Sequence, residues 1–570
     1  METKKFRDPL YGYVEIDSSI VHDIIDTATF QRLRNIRQTS YAPLYPASLQ
    51  NRFVHSLGVY HLGKMASKSL ETSLNRCANE KNSKLGELKE LFPEGLDRYK
   101  LVFELACLLH DVGHAPFSHT GEDFYKDSKS STGSVKQAGC SYNYLGHLSA
   151  LTGDEVFVQK AEEAPAPAAH EIMSCIVAIE AFGTMEKYFK SDHEKSFFSR
   201  CITGLKYGEV VGLTVTNYTR MTKEEHNEVK KKMILNCFIQ LLHSSVIDVD
   251  RLDYIIRDAN TMGYQNVSVD YERLLQGIEV VFEDDYNFTV GFHKNAISVI
   301  ENAVYAHDNE KKWIQGHPTI LYDSFLLQKS ITHIEEKIRE DNKDATSTFF
   351  SYDSLTENGS SFEKVSTRYL CDADLIYIMK NVYRSNYSNE YFSRNRRRLP
   401  VWKSESEFRN LFNDSERDII NNAMTTMMTD NDGPIDCIEI ADNTIEETEA
   451  VIDGAHKQGL MNRVKECERK NQYFKKLLDV CRKHNINSNV VLLSTSFFKS
   501  NFSKGEVQKL LIWFPNGRNC LLEDVSTTLS SNDSDDSKML YLYYYPREGR
   551  ETLDAHEFAR DLIQAFSNMP

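Results

Sequence analysis

The stretch Leu101–His119, LVFELACLLHDVGHAPFSH, decides how this chain is read. Leu101 to Leu109 is an almost unbroken apolar run that ends on the pair His110-Asp111. Such a run predicts a helix buried on every side. Gly113 then breaks it, and His114 and His119 follow within one or two turns. A buried helix is a rigid mount, and polar side chains at its end can reach a shared point. Imidazole nitrogens beside carboxylate oxygens suit divalent Zn, Fe or Mn, and Mg if more oxygen ligands join. The stretch reads as the floor of a metal-dependent hydrolase site.

The dipeptide alone is weak. The chain holds three His-Asp pairs, His22-Asp23, His110-Asp111 and His307-Asp308, and only the middle one follows an apolar helix and precedes two further histidines. The outer two read as hydrogen-bonded surface pairs.

Working outward, Ile20, Val21, Ile24, Ile25, Phe30, Leu33 and Ile36 recur near helical spacing, and NRFVHSLGVYHLGKMASKSL is a second helix with His55 near its start. Residues 126–169, rich in Ser, Gly, Ala and Pro, read as an inserted surface loop. Helical patterning returns at His170 and runs through HSSVIDVDRLDYIIRDA. Phe288 to Phe292 suggests a small strand, as do Val490 to Ser494, Lys509 to Phe514 and Met539 to Tyr545. The expected fold is mainly α, with a helical catalytic region over 1–405 and a smaller α+β region over 406–570.

At 570 residues and 41% hydrophobic, the chain can bury more than one core. A net charge of −16 argues against non-specific coating of nucleic acid, although a local basic groove is compatible with it. The 11 cysteines show no CxxC pair and fit reduced thiols in a cytosol. METKKFRDPLYGY lacks the apolar core of a signal peptide, and no run approaches a membrane span. A soluble cytoplasmic protein is expected.

The candidate metal ligands are His55, His110, Asp111 and Asp250. Asp250, Asp253 or Tyr254, and Asp258 recur at about one helical turn, which aligns carboxylates and a phenol along one face. Read without partners, Asp253 belongs to an ordinary exposed acidic face with Arg251 and Arg257 as ion-pair partners.

NRFVHSLGV, LLHDVGHAPFSH, AHE and IDVDRLDYIIRD follow one another as do the signatures of the HD-domain phosphohydrolases. Within them the chain resembles the deoxynucleoside triphosphate triphosphohydrolases, the bacterial dGTPase-like enzymes and the vertebrate SAM-and-HD-domain protein. The match extends to DPLYGYVEI and DTATFQRLRNIRQ, more weakly to YLCDADL, and covers roughly residues 5–400.

The resemblance implies a helical HD fold with one divalent metal, Mn, Fe, Mg or Zn, held by His55, His110, Asp111 and Asp250. It implies cleavage at the α-phosphate, releasing a deoxynucleoside and triphosphate. His119 would position or activate the nucleophile, His170 would protonate the leaving 5′ oxygen, and His114 would contact phosphate. Glu122 stands where relatives carry an aspartate that orients the acid histidine. Arg52 and Arg251 match phosphate-binding residues, Gln38 and Asp258 match groups bonded to the sugar 3′ hydroxyl, and Tyr254 matches a tyrosine under the sugar.

The chain departs from the vertebrate pattern at KKWIQGHP, where Ile314 and Gln315 replace the tyrosine and glutamine that gate the sugar. Lys311 and Lys312 stand near the family's triphosphate clamp. Asp26, Gln31 and Arg34 resemble a guanine-nucleotide activator site; helix capping and ion pairing would use the same residues. Arg394, Arg396, Arg397 and Arg398 would meet a regulatory phosphate or an acidic subunit neighbour, or form a solvated charge run. A homo-oligomer regulated by nucleotides, with a place in antiviral or antiphage defence, is the implied setting. A nucleotidase or phosphodiesterase with the same metal site, and a sensor of nucleotides or nucleic acid without turnover, are the competing readings.

Overall fold

A computed structural model describes residues 2–40, 42–80, 83–125, 144–162, 166–208, 220–244, 246–264, 268–284, 286–342, 349–430, 433–496, 500–501, 505–515, 519–526, 538–546, 553–567 and 569. The fold is mainly α-helical, organised around two hydrophobic cores. No helix among the described residues is long and apolar enough to cross a membrane.

At the centre lies the helix Asp97–Leu109, in which Val102, Phe103, Leu105, Ala106, Cys107, Leu108 and Leu109 are all buried. It packs against the 27-residue helix Arg52–Ala78 and the helix Asp192–Thr203. Asn51 starts the long helix by accepting a hydrogen bond from the Val54 amide at 3.2 Å. Asp248 starts the helix Val249–Met262 by accepting from the Arg251 amide at 2.7 Å, and Gly263 ends it at a φ of 77°. The two aspartates of IDVD therefore do different work. Asp248 caps the helix, and Asp250 stands inside its first turn.

Two glycines let the site's helices close on one another. A Cβ on Gly58, one turn beyond His55, would collide with Asp253 and Arg257 on the facing helix. A Cβ on Gly113 would meet the backbone of Met173 and Ser174. In its place the Gly113 amide donates to Ser174 Oγ at 2.9 Å. Gly113 thus breaks the apolar run and also seats the helix Ala169–Glu180, which carries His170.

Of the stretch 126–169 read as a loop, residues 126–143 and 163–165 lie outside the described residues. Tyr144–Thr152 and Glu155–Glu162 are helices, which corrects that reading. Leu148, Phe157 and Ala161 are buried, because an amphipathic face hides among the small polar residues that dominate the composition.

The second core gathers Val401, Trp402, Phe408 and most buried residues from Ile420 to Phe566. Its sheet runs Cys437–Ile440, Val490–Ser496, Lys538–Tyr544, Leu399–Pro400, all neighbours antiparallel. The helix Pro318–Asp341 serves both cores, with Tyr322, Phe325 and Leu326 in the second and Leu327, Ile331, Ile334 and Ile338 in the first.

The chain does not divide cleanly near residue 405. Leu511–Trp513 pairs in parallel with Phe288–His293, and Val507, Ile512 and Leu522 join the first core. This segment is β-rich, as its composition predicts, but it completes the sheet of the other core.

Candidate metal centre and adjacent histidine cluster

His110 caps the end of the central helix, where its Nδ1 lies 2.9 Å from the Cys107 carbonyl oxygen. A carbonyl only accepts, so Nδ1 carries the hydrogen and Nε2 is left with its lone pair. The same logic holds for His55, whose Nδ1 lies 2.7 Å from Asp253 Oδ2. The two bare Nε2 atoms face one another at 3.3 Å. Asp250 Oδ1 lies 2.9 Å from His55 Nε2 and 3.5 Å from His110 Nε2. Asp111 closes the ring at 3.5 Å from each.

With both rings neutral, four acceptors converge, and Arg52 and His114 approach only from the Asp111 side. Such an arrangement could hold a cation. With protein groups alone, burial works against a charged His55, yet Asp250, Asp253 and Asp111 prevail and push it up to about 10. Asp250 is held well below the ordinary carboxylate range by His110 and His55 against the cost of burial. The donor set of two imidazole nitrogens and two carboxylates fits a divalent transition metal, and His55, His110 and Asp111 form a cluster that could hold one.

Asp253, read from sequence as an exposed acid, is fully buried. Besides His55 it accepts from Arg257 Nε and Nη2, each at 2.9 Å, and from the Tyr11 hydroxyl at 2.7 Å. Burial raises its pKa, but Arg257 and His55 win and hold it at about 2. It is therefore the ionised group that fixes the His55 tautomer, an outer partner of the kind metal-binding histidines use. Its four-residue spacing from Arg257 was the available signal. Arg257 is buried too, bonded also to Asp8 at 3.1 Å.

The second cluster is His114, His119 and His170. Glu122 bridges the last two, with Oε2 at 2.9 Å from His119 Nδ1 and Oε1 at 2.6 Å from His170 Nδ1. Burial opposes both charges of the bridged pair, but the contact lowers Glu122 and raises His170. His114 stacks on His170 with ring centroids 4.0 Å apart and planes at 18°. Burial, then the charges of Arg52 and His170, hold His114 well below the usual imidazole range. His119 is 69% exposed and opens the site to solvent.

Arg52 departs from a free phosphate-binding group. Its guanidinium donates to Asp111 Oδ2 at 2.7 Å, Ser118 Oγ at 2.9 Å and the Gln38 carbonyl at 3.3 Å. Arg251 likewise donates to the Val246 and Ser244 carbonyls at 3.0 and 3.2 Å. Gln38 and Asp258 are buried, and Gln38 Oε1 and Asp258 Oδ2 have no hydrogen-bond partner among the described residues. Gln50 Nε2 donates to the other Asp258 oxygen, while burial pushes Asp258 up to about 7. Tyr254 Oη lies 3.4 Å from His307 Nε2. Gln315 Nε2 donates to Glu310 at 3.1 Å, and exposed Lys312 lies over the Trp313 ring at 5.1 Å.

The remaining candidates have protein partners. Asp26 is exposed and paired with Lys4 at 3.2 Å, Gln31 Nε2 donates to the Ile25 carbonyl at 2.7 Å, and Arg34 bonds Gln31 and covers the Phe53 ring. The residue of that segment reaching the site is Arg32. Buried, it donates to the carbonyls of Val112, His114 and Leu370 and so holds the turn between the two histidine clusters. Arg397 and Arg398 form no solvated run: both are buried, the first on Asp323 and the second on Glu390 and Glu439. The His307-Asp308 pair is corrected as well, since Asp308 is 7% exposed and lies under the segment Ser500–Asn501.

Residues 52–139 match the family model of the HD domain, a segment that begins on Arg52 and contains His55, His110 and Asp111. The chain carries an HD domain. It is 27% identical to a deoxynucleoside triphosphate triphosphohydrolase of Danio rerio, over 48% of this chain and 36% of that one. The Gallus gallus protein of the same name is 30% identical over the same shares. An uncharacterised Mycoplasma genitalium protein is 24% identical over 60% of this chain and 63% of its own. The matched region therefore spans between 36% and 63% of these curated relatives. Among solved structures, a Bacteroides thetaiotaomicron phosphohydrolase shares the HD domain chain's fold, with a TM-score of 0.52, 17% identity, and coverage of 96% and 100%. A hypothetical protein from Aquifex aeolicus gives 0.51, 18%, 98% and 100%.

Proposed function

We propose that the chain is a metal-dependent phosphohydrolase that cleaves deoxynucleoside triphosphates at the α-phosphate, releasing a deoxynucleoside and triphosphate. The observation that carries the reading is the convergence of two bare Nε2 atoms and two carboxylates, beside a His-Glu-His triad. A divalent metal held by His55, His110, Asp111 and Asp250 would supply Lewis acidity toward a phosphoryl oxygen.

The chain's own residues do the rest. His170, raised by Glu122, keeps a proton available to the leaving 5′ oxygen near neutral pH. His119, at the open edge, positions the attacking water, and His114, whose Nε2 lies 3.1 Å from Asp111 Oδ1, stands beside the phosphate. Gln38 Oε1 and Asp258 Oδ2 are unsatisfied oxygens, either of which can accept from a sugar hydroxyl, and Tyr254 packs beneath the sugar. Relatives named as deoxynucleoside triphosphate triphosphohydrolases support the substrate class. Nucleotide regulation, self-assembly and antiviral or antiphage defence belong to the same reading.

One observation favours a second reading, a nucleotidase or phosphodiesterase. Arg52 and Arg251 are committed internally and Lys312 rests on Trp313, which leaves few cations to clamp three phosphates. Chromatographic product analysis with each dNTP, alone and in mixtures, plus Mn²⁺, Mg²⁺ or Fe²⁺, separates the two. Intact triphosphate beside deoxynucleoside is expected, and the His110→Ala/Asp111→Ala variant should be silent. Cleavage of monophosphates or diesters only would replace the first reading by the second.

A further inference from the structure

In the His307-Asp308 pair Asp308 is buried and His307 half-buried, on the side that carries Tyr254. Asp308 Oδ1 accepts from the Asn501 backbone amide at 2.8 Å, and Ser500 Oγ donates to Oδ2. The Asn501 side chain is 4% exposed, and its Nδ2 lies 2.6 Å from Asp308 Oδ1 and 3.0 Å from His307 Nδ1.

These contacts settle which atoms carry hydrogens. A carboxylate oxygen that already receives a backbone N–H must face the NH₂ end of the Asn501 amide, because the carbonyl end would set two acceptors together. The second amide hydrogen then points at His307 Nδ1, which must accept. The ring hydrogen therefore sits on Nε2, 3.4 Å from Tyr254 Oη, with the two ring centroids 6.3 Å apart at 66°. A single neutral tautomer links Asn501 to the phenol.

We infer that Asn501 is a positioning residue for Tyr254, acting through the Nε2–H tautomer of His307. The inference rests on the proposed nucleotide reading only for what Tyr254 touches. It assigns a role to residues far along the chain, since Asn501 arrives from the second core's strand Val490–Ser496, just before Leu511–Trp513 joins the sheet of the first. The substrate side of the HD domain is thus built partly from the C-terminal half. Without Asn501 the His307 ring would exchange tautomers, and the phenol would lose the donor on its His307 side while keeping Arg251.

The test is made on the full chain. Long-range ¹H–¹⁵N correlation of the histidine rings, with the His307 signal identified by its loss in His307→Gln, should show the Nε2–H tautomer in the unaltered protein. An Nδ1–H or doubly protonated ring would overturn the inference whether or not any variant folds. Asn501→Leu should turn that signal into a tautomer average and raise KM for the nucleotide roughly three- to tenfold, with kcat changed less than about twofold. Ser500→Ala, which loosens Asp308 without touching His307, should leave both readouts in place. Equal effects of the two variants would mean mere anchoring of the segment and would sink the idea. In Tyr254→Phe the Asn501→Leu change should add nothing further to KM. If no nucleotide is turned over by the unaltered chain, the functional proposal fails while the tautomer measurement still decides this one.

Discussion

Asp253 Oδ2 accepts the Nδ1 hydrogen of His55 at 2.7 Å, and this bond turns the other ring nitrogen toward the metal centre. Because Asp253 is itself gripped by Arg257 and Tyr11, the histidine's orientation is set by the packing of two helices and the N-terminal hairpin. Asp253→Asn should weaken divalent-metal affinity by about 10- to 100-fold, measured by calorimetric titration of the chelator-treated protein. Tyr11→Phe, which removes one of four bonds, should cost far less. Equal losses would refute an orienting role.

Asp250→Ala removes a carboxylate from the centre itself. Metal content after dialysis should fall to background and turnover with it, while the helix remains capped by Asp248. A variant that keeps both metal and turnover would show that Asp250 is not a ligand.

Glu122→Gln separates charge from shape at the histidine bridge. Folded-state His170 is raised, so its contribution to stability is complete below about 6.5 and is lost as pH rises through the folded value. Glu122 is lowered, so its share is present above about 4.5 and is lost as pH falls through the folded value. The difference in Tm between native protein and variant should be greatest between those two pH values. The alkaline limb of kcat should also move to lower pH in the variant, because His170 gives up its proton more easily. An unmoved limb would exclude His170 as the acid.

Gly58→Ala tests close helix packing without touching a ligand. The added methyl meets Asp253 and Arg257, and a loss of about 1–3 kcal/mol is expected in urea unfolding. Metal affinity should drop in parallel, since the displaced group is the one that holds His55.

Arg397→Ala distinguishes an internal pin from a regulatory phosphate contact. Asp323, 2% exposed, would keep only the exposed Arg394 at 3.6 Å, and a cost of at most about 3–5 kcal/mol is expected. Unchanged thermal stability together with lost nucleotide activation would restore the regulatory reading.

Much of this was legible in the residues themselves. An apolar run too uniform for a surface helix must be buried, and a His-Asp pair at its end must then be satisfied by something. His55, His110, Asp111 and Asp250 stand on three elements whose helical spacing is plain from the sequence, and the order of four motifs named the HD domain. The strands at Val490–Ser496 and Lys538–Tyr544 were equally plain from their β-branched and aromatic runs.

What the sequence left open were partnerships across distance. Asp253 reads as a surface acid because helical spacing shows a face but not what covers it. The covering group is the Arg52–Ala78 helix, admitted by Gly58. Arg397 and Arg398 read as charge on a polar background, and Arg32 gave no signal; Arg32 and Arg397 became internal donors because the carbonyls and the carboxylate they reach come from 80 or more residues away in the first case and 74 in the second. The return of Ser500–Asn501 and Leu511–Trp513 to the first core has the same origin. Local sequence sets which residues can be strand, helix or ligand, whereas long-range packing alone decides which polar groups are removed from water together, and that choice is what built the site.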